Sequence, residues 1–127
     1  MKLRIQGNSI RLRLSQSEVT KFHETGSVSD SLSFGGPTDD TLTYSLERTD
    51  GSEMSTVFEE GRIRIFVPVA QSENWATSEQ EVGMEHLQRS NSSNETLRIL
   101  VEKDFKCLAD RPEEDESDNF PNPNLSC

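Results

Sequence analysis

The sequence predicts a mainly β, β-rich α+β domain: an antiparallel sheet of about seven or eight strands, curled into a barrel-like or sandwich form, with one capped helix after the first hairpin. Three observations carry this expectation. Apolar residues alternate with polar ones at period two in segment after segment, which is the pattern of half-buried strands. Gly-Asn, Asp-Gly and Glu-Gly pairs separate several of those segments at hairpin spacing. One stretch, directly after Leu14, carries a full helix-start signature.

Leu3 and Ile5 alternate with Lys2, Arg4 and Gln6. Beyond Gly7-Asn8, Ile10, Leu12 and Leu14 alternate with Ser9, Arg11 and Arg13, so the pair reads as a hairpin with one apolar and one basic face. The helix follows at once. Ser15 and Glu18 make a capping box, Leu14 and Val19 stand at hydrophobic-staple positions, Val19 and Phe22 form the buried stripe, and Gly26 ends it. His23 near its end complements the helix dipole.

Residues 27–34 alternate weakly, and 35–40 (Gly-Gly-Pro-Thr-Asp-Asp) are a loop by composition. Leu42, Tyr44 and Leu46 define a strand. Asp50-Gly51 turns it into a segment holding Met54, Val57 and Phe58, and Glu60-Gly61 turns again into 62–69, with Ile63, Ile65 and Val67 inward. Residues 41–69 are therefore expected to form a three-stranded antiparallel meander. Pro68 closes its last strand, because it cannot donate to a ladder.

A helical turn is expected around 72–76, with Trp75 folded back on the sheet. Val82, Met84 and His86 share one parity of the next strand, and 90–94 form a loop. The last strand-like stretch, 97–107, puts Leu97, Ile99, Val101, Phe105 and Cys107 on one face and Arg98, Leu100, Glu102 and Asp104 on the other. No internal repeat occurs at a fixed period. A β-rich globular domain over 1–108 is thus expected to precede an acidic tail, disordered or docked, over 109–127, where six acids face one arginine.

A chain of 127 residues suits one domain with its own core. The formal net charge of −10 excludes non-specific nucleic-acid binding and adhesion to an anionic membrane. Two cysteines, Cys107 and Cys127, are too few for a disulfide framework and match no zinc spacing, which makes a reducing cytoplasm the default. The opening residues alternate charge with apolar side chains and so lack the apolar core of a leader.

Charge is nevertheless segregated along the chain. Arg4, Arg11, Arg13, Arg62, Arg64 and Arg98 all fall on the parity opposite the apolar one, six of the nine arginines. If their strands are neighbours, they make a basic sheet face suited to bidentate recognition of an anion. Glu102, Asp104, Cys107 and His86 are the candidate metal ligands, since carboxylate, thiolate and imidazole together suit zinc. No cofactor is otherwise expected, and nucleophile elbows, phosphate-binding glycine loops and Cys-x-x-Cys pairs do not occur.

The Arg-x-Arg pairs Arg11/Arg13 and Arg62/Arg64, taken with Glu79, Glu81, Glu102 and Asp104, resemble the charged interior of triphosphate tunnel enzymes. Those enzymes open on Glu-x-Glu-x-Lys, whereas this chain opens on Lys2-x-Arg4-x-Gln6, which removes the metal-binding carboxylates. Over nearly its whole length the chain instead resembles a family of short uncharacterised bacterial proteins. The resemblance rests on an opening strand pair like 2–14, a block like 100–108 and an acidic tail with Pro-Asn-Pro, and it implies a domain of unknown function in a bacterial cytoplasm.

The function expected is that of a small cytosolic binding or accessory protein. It would contact a protein partner or anionic small molecule through the arginine-bearing face and the acidic tail, rather than nucleic acid or membrane. The competing expectation is a metal-dependent enzyme or binding protein for a phosphate-containing ligand.

Overall fold

Lys2–Gln6 (β1) and Ser9–Leu14 (β2) pair antiparallel about Gly7, whose φ of 54° is the left-handed value that such a tight turn needs. The computed structural model describes residues 1–105 and 117–121. Gln16–Thr25 (α1) follows, opened by the capping box: Glu18 Oε1 accepts from the Ser15 backbone N–H at 2.9 Å. Gly26, at φ 83°, closes it by donating to the Phe22 carbonyl. Val19 and Phe22 are buried, as the helical spacing predicts.

Ser27–Ser33 (β3), Thr41–Thr49 (β4), Ser55–Glu59 (β5), Arg62–Pro68 (β6), Val69–Thr77 (α2), Gly83–Arg89 (β7) and Thr96–Lys103 (β8) complete the described elements. Two of the sequence expectations are corrected here. A second helix, α2, replaces the single turn expected around Trp75; its N-cap position is Pro68, which supplies no capping side chain. The meander over 41–69 also fails, because β4 pairs with β6, in parallel, and β5 lies outside β6 at the edge.

The strands form two four-stranded sheets, ordered β1-β2-β8-β7 and β3-β4-β6-β5. Each is antiparallel except for a parallel pair at its centre, β2 with β8 and β4 with β6. One core lies between them: Ile10, Leu12, Leu14, Met84, Ile99 and Val101 from the first sheet meet Val28, Leu46, Ile65 and Val67 from the second. The sandwich expectation therefore stands, with no closed barrel. Edges β5 and β7 are joined by the Gln88 amide, which accepts from Thr56 N–H at 2.7 Å and donates to Thr56 O at 3.2 Å. That side chain satisfies a stretch of edge backbone that would otherwise be left open.

The order of elements is duplicated. Hairpin, helix and strand pair run through β1-β2-α1-β3-β4 and again through β5-β6-α2-β7-β8, and each sheet takes the hairpin of one half and the strand pair of the other. Phe22 of α1 corresponds to Trp75 of α2, and the two rings meet edge to face at 6.3 Å between centroids. The pairing register repeats as well: Leu14 lies opposite Lys103 as Val67 lies opposite Arg48. So does an ion pair on each outer face, Arg11 Nε–Glu102 Oε1 at 2.8 Å and Arg64 Nε–Glu47 Oε2 at 2.7 Å. A repeat thus exists in the fold although no fixed period marks it in the sequence.

Of the tail, residues 117–121 are docked. The Asp118 carboxylate accepts from the Ser17 hydroxyl at 2.5 Å and from the Ser17 N–H at 3.3 Å, at the start of α1 where the helix dipole favours an anion. Gln16 donates to Asn119 O, and Phe120 N–H donates to Asp104 O at 2.7 Å, setting the Phe120 ring 5.7 Å from that of Phe105. The remainder of 109–127 lies outside the described residues.

Candidate functional site

Strand parity decides which side chains leave the core. On the first sheet, Lys2, Arg4 and Gln6 of β1, Ser9, Arg11 and Arg13 of β2, and Arg98, Leu100 and Glu102 of β8 alternate with the core residues and lie on the outer face. The register puts Lys2 opposite Arg13 and Arg4 opposite Arg11. Like charges directly across an antiparallel pair repel, so two such pairs side by side weaken the hairpin.

Carboxylates relieve only part of this repulsion. Glu102 takes Arg11, Asp104 Oδ2 takes Lys2 at 2.9 Å, and Glu85 on β7 takes Arg98 Nε at 2.7 Å. The hydrogen bond from Arg98 holds the Glu85 carboxyl below its usual range. Arg4 reaches only the Gln6 amide oxygen, at 3.2 Å, and no ion pair forms to Arg4 or Arg13 among the described residues. Between Arg4, Arg11 and Arg98 lies a cleft of about 70 Å³, floored by Ser9 and Leu100.

Arg62 and Arg64 are elsewhere. They stand on β6, on the outer face of the second sheet, so the six arginines divide four and two between faces separated by the core. Arg64 is already engaged there: Glu47 receives it bidentately at 2.7 and 2.9 Å, and its guanidinium lies 4.9 Å from the centre of the Phe66 ring. Because these arginines point away from a core of apolar side chains, the fold also lacks the charged interior of a triphosphate tunnel.

The Arg64 hydrogen bond holds the Glu47 carboxyl below its ordinary range, against a smaller opposing effect of burial. A depressed folded-state pKa means that the stabilisation is fully present at neutral pH and is lost as pH falls through that pKa. Glu47→Gln is therefore expected to lower stability at neutral pH, and its deficit against the parent should shrink in acid. Urea denaturation across that pH range tests this; a deficit that stays constant with pH counts against the assignment.

The metal candidates do not converge. His86 pairs with Ile99 and shares its inward parity, whereas Glu102 is on the outer face of the neighbouring strand and committed to Arg11. Asp104 is buried against Lys2, and Cys107 lies outside the described residues. Among the described residues, no group of three or more His, Cys, Asp or Glu side chains is placed to hold a metal ion. No described helix is long and apolar enough to cross a membrane.

A family model of unknown function matches residues 1–124. The chain belongs to DUF7009. No curated protein and no solved structure matches it. Membership of DUF7009 therefore brings no chemistry with it, and the chemistry must come from the side chains.

One side chain of this DUF7009 member escaped the sequence reading. Lys103 continues the inward parity of Leu97, Ile99 and Val101 and is only 6% exposed, with Nζ donating to the Ser78 carbonyl at 2.7 Å. Burial pushes its ammonium below the usual lysine range, partly offset by Glu81 and Glu79. The signal was available in the alternation itself, since β8 runs without interruption to position 103.

Proposed function

We propose that this chain is a binding protein that holds an anionic segment of a protein partner on the outer face of β1, β2 and β8. The observation that carries the reading is the pair Arg4 and Arg13, guanidinium groups facing like charges across the β1–β2 hairpin and forming no ion pair among the described residues, since Glu102 beside Arg13 is committed to Arg11. An incoming carboxylate would remove the repulsion within the hairpin and gain charge-assisted hydrogen bonds in one step.

The shape of the face supports a protein segment over a small molecule. Ligand pockets usually enclose roughly 300–1,000 Å³, and the cleft beside Arg4 offers about 70 Å³, enough for a single acidic group. Catalysis needs a base or nucleophile held against the substrate. The polar groups lining this cleft are guanidiniums, the Gln6 amide and a Ser9 hydroxyl already bonded to Gln6 O at 2.7 Å, which supports an accessory role over an enzymatic one. The same reading assigns a cytoplasmic setting, on the cysteine usage.

Calorimetry with hexaglutamate and, separately, with pyrophosphate tests this. Hexaglutamate is expected to bind saturably, to weaken as salt is raised, and to lose at least tenfold in affinity in Arg4→Glu/Arg13→Glu. Tighter binding of pyrophosphate would favour the phosphate-ligand alternative, and no saturable binding of either anion by the parent removes the proposal.

A further inference from the structure

The two halves of the fold differ most around the cation that ends each strand pair. In the first half Arg48 Nη2 donates to the His23 carbonyl at 3.1 Å, and its guanidinium lies so close over Gly26 that a Cβ there would meet Nη2 at 3.0 Å. α1 passes through Gly26 straight into β3, and the space is filled. In the second half Lys103 likewise donates to the end of α2, at the C-cap carbonyl of Ser78, but five residues, 78–82, separate α2 from β7. A cavity of about 450 Å³ opens beside the amine, with Gln16, Ala76, Glu79, Phe105 and Phe120 in its walls.

What the fold requires at this position is a cation on the last carbonyls of the helix; both halves supply one. The cavity and its aromatic walls are additional. Lys103 Nζ lies 5.4 Å from the centre of the Phe120 ring and 6.0 Å from that of Trp75. Ring faces answer part of the charge of a buried ammonium. The Ser78 carbonyl uses one of its three donors, and no ion pair to Lys103 forms among the described residues. Glu79 and Glu81 answer part of that charge from nearby but neither pairs with the amine, so a ligand that brings a carboxylate onto its remaining donors is favoured.

We propose that this cavity binds a small organic monocarboxylate, its carboxylate accepting from Lys103 Nζ and its aromatic or aliphatic body lying against Phe105 and Phe120. Glu79 in the wall repels a second negative charge, which sets a monoanion above a dicarboxylate or a phosphate. The site is separate from the arginine face, so either assignment stands or falls alone.

Ligand-observed NMR on the full chain with phenylacetate, indole-3-acetate and octanoate tests the proposal, with phenylacetamide and succinate as the neutral and doubly charged comparisons. At least one monocarboxylate is expected to bind saturably, at least tenfold more tightly than phenylacetamide or succinate. Lys103→Met should lose at least tenfold. Ala76→Leu adds bulk at a wall position that takes no part in the Lys103–Ser78 hydrogen bond, and it should abolish binding in a protein that still folds. Absence of saturable binding by all three acids, equal binding of phenylacetamide, or undiminished binding by Ala76→Leu overturns it.

Discussion

Trp75→Ala is expected to destabilise the fold by about 3–5 kcal/mol, the usual range for removing a large buried aromatic side chain. Trp75 is 1% exposed, its ring packs edge to face on Phe22, and its indole N–H points to the Val82 carbonyl at 3.4 Å. It joins α2 to α1 and stands beside Lys103, so the loss falls on both halves together. Against a total stability of roughly 5–15 kcal/mol for an ordinary domain, a loss of that size leaves little or none. Urea denaturation followed by circular dichroism measures it. A change below about 1 kcal/mol, outside the range for such truncations, would show that the helix–helix contact matters far less than its burial implies.

Cutting the chain in the turn between β4 and β5 is expected to have an even larger effect. A fragment of residues 1–52 retains one hairpin of the first sheet and one strand pair of the second, and a fragment of 53–127 retains the complements. Two-stranded units are marginal in water by themselves. Neither fragment should show a cooperative thermal transition alone, while an equimolar mixture should recover one whose midpoint rises with concentration. Sedimentation and calorimetry of the separate and mixed fragments decide it; a cooperative transition in either fragment by itself would contradict the interleaved arrangement.

The features readable from sequence were the local ones. The Gly7 turn, the capping box of Ser15 and Glu18 and the Gly26 stop all depend on residues within one turn of one another, and local chemistry specifies them. Side-chain parity placed Leu12, Ile65, Ile99 and Val101 in the core for the same reason. Parity does not, however, reveal which strands are neighbours. Ile65 points inward whether β6 lies against β5 alone or also runs parallel to β4, so its parity is equally compatible with a meander and with the parallel pair.

The same limit applied to the site. Alternation correctly put Arg4, Arg11 and Arg64 on outer faces, but it carries no information about whether two outer faces belong to one sheet. The duplication escaped notice because corresponding positions keep a size or class and not an identity, as with Phe22 and Trp75 or Leu14 and Val67, and because 78–82 stand where the first half has Gly26. α2 lacked any start signal, its N-cap position being Pro68 with no acid in the first turn. The two inward cations, Arg48 and Lys103, are polar residues in half-apolar strands. Their role follows from helix ends that only the tertiary fold brings near.

The partnership of Ser9 with Arg98 at the centre of the first sheet has a consequence for synthesis. On the ribosome, the opening hairpin emerges long before the strand that flanks it, and the inner edge of β2 must stay uncovered while almost all of the described chain is translated. Pairings of such separation slow folding and prolong exposure to association with other nascent chains. Protease sensitivity of stalled chains should therefore fall abruptly only once β8 has left the exit tunnel, not gradually as each element appears.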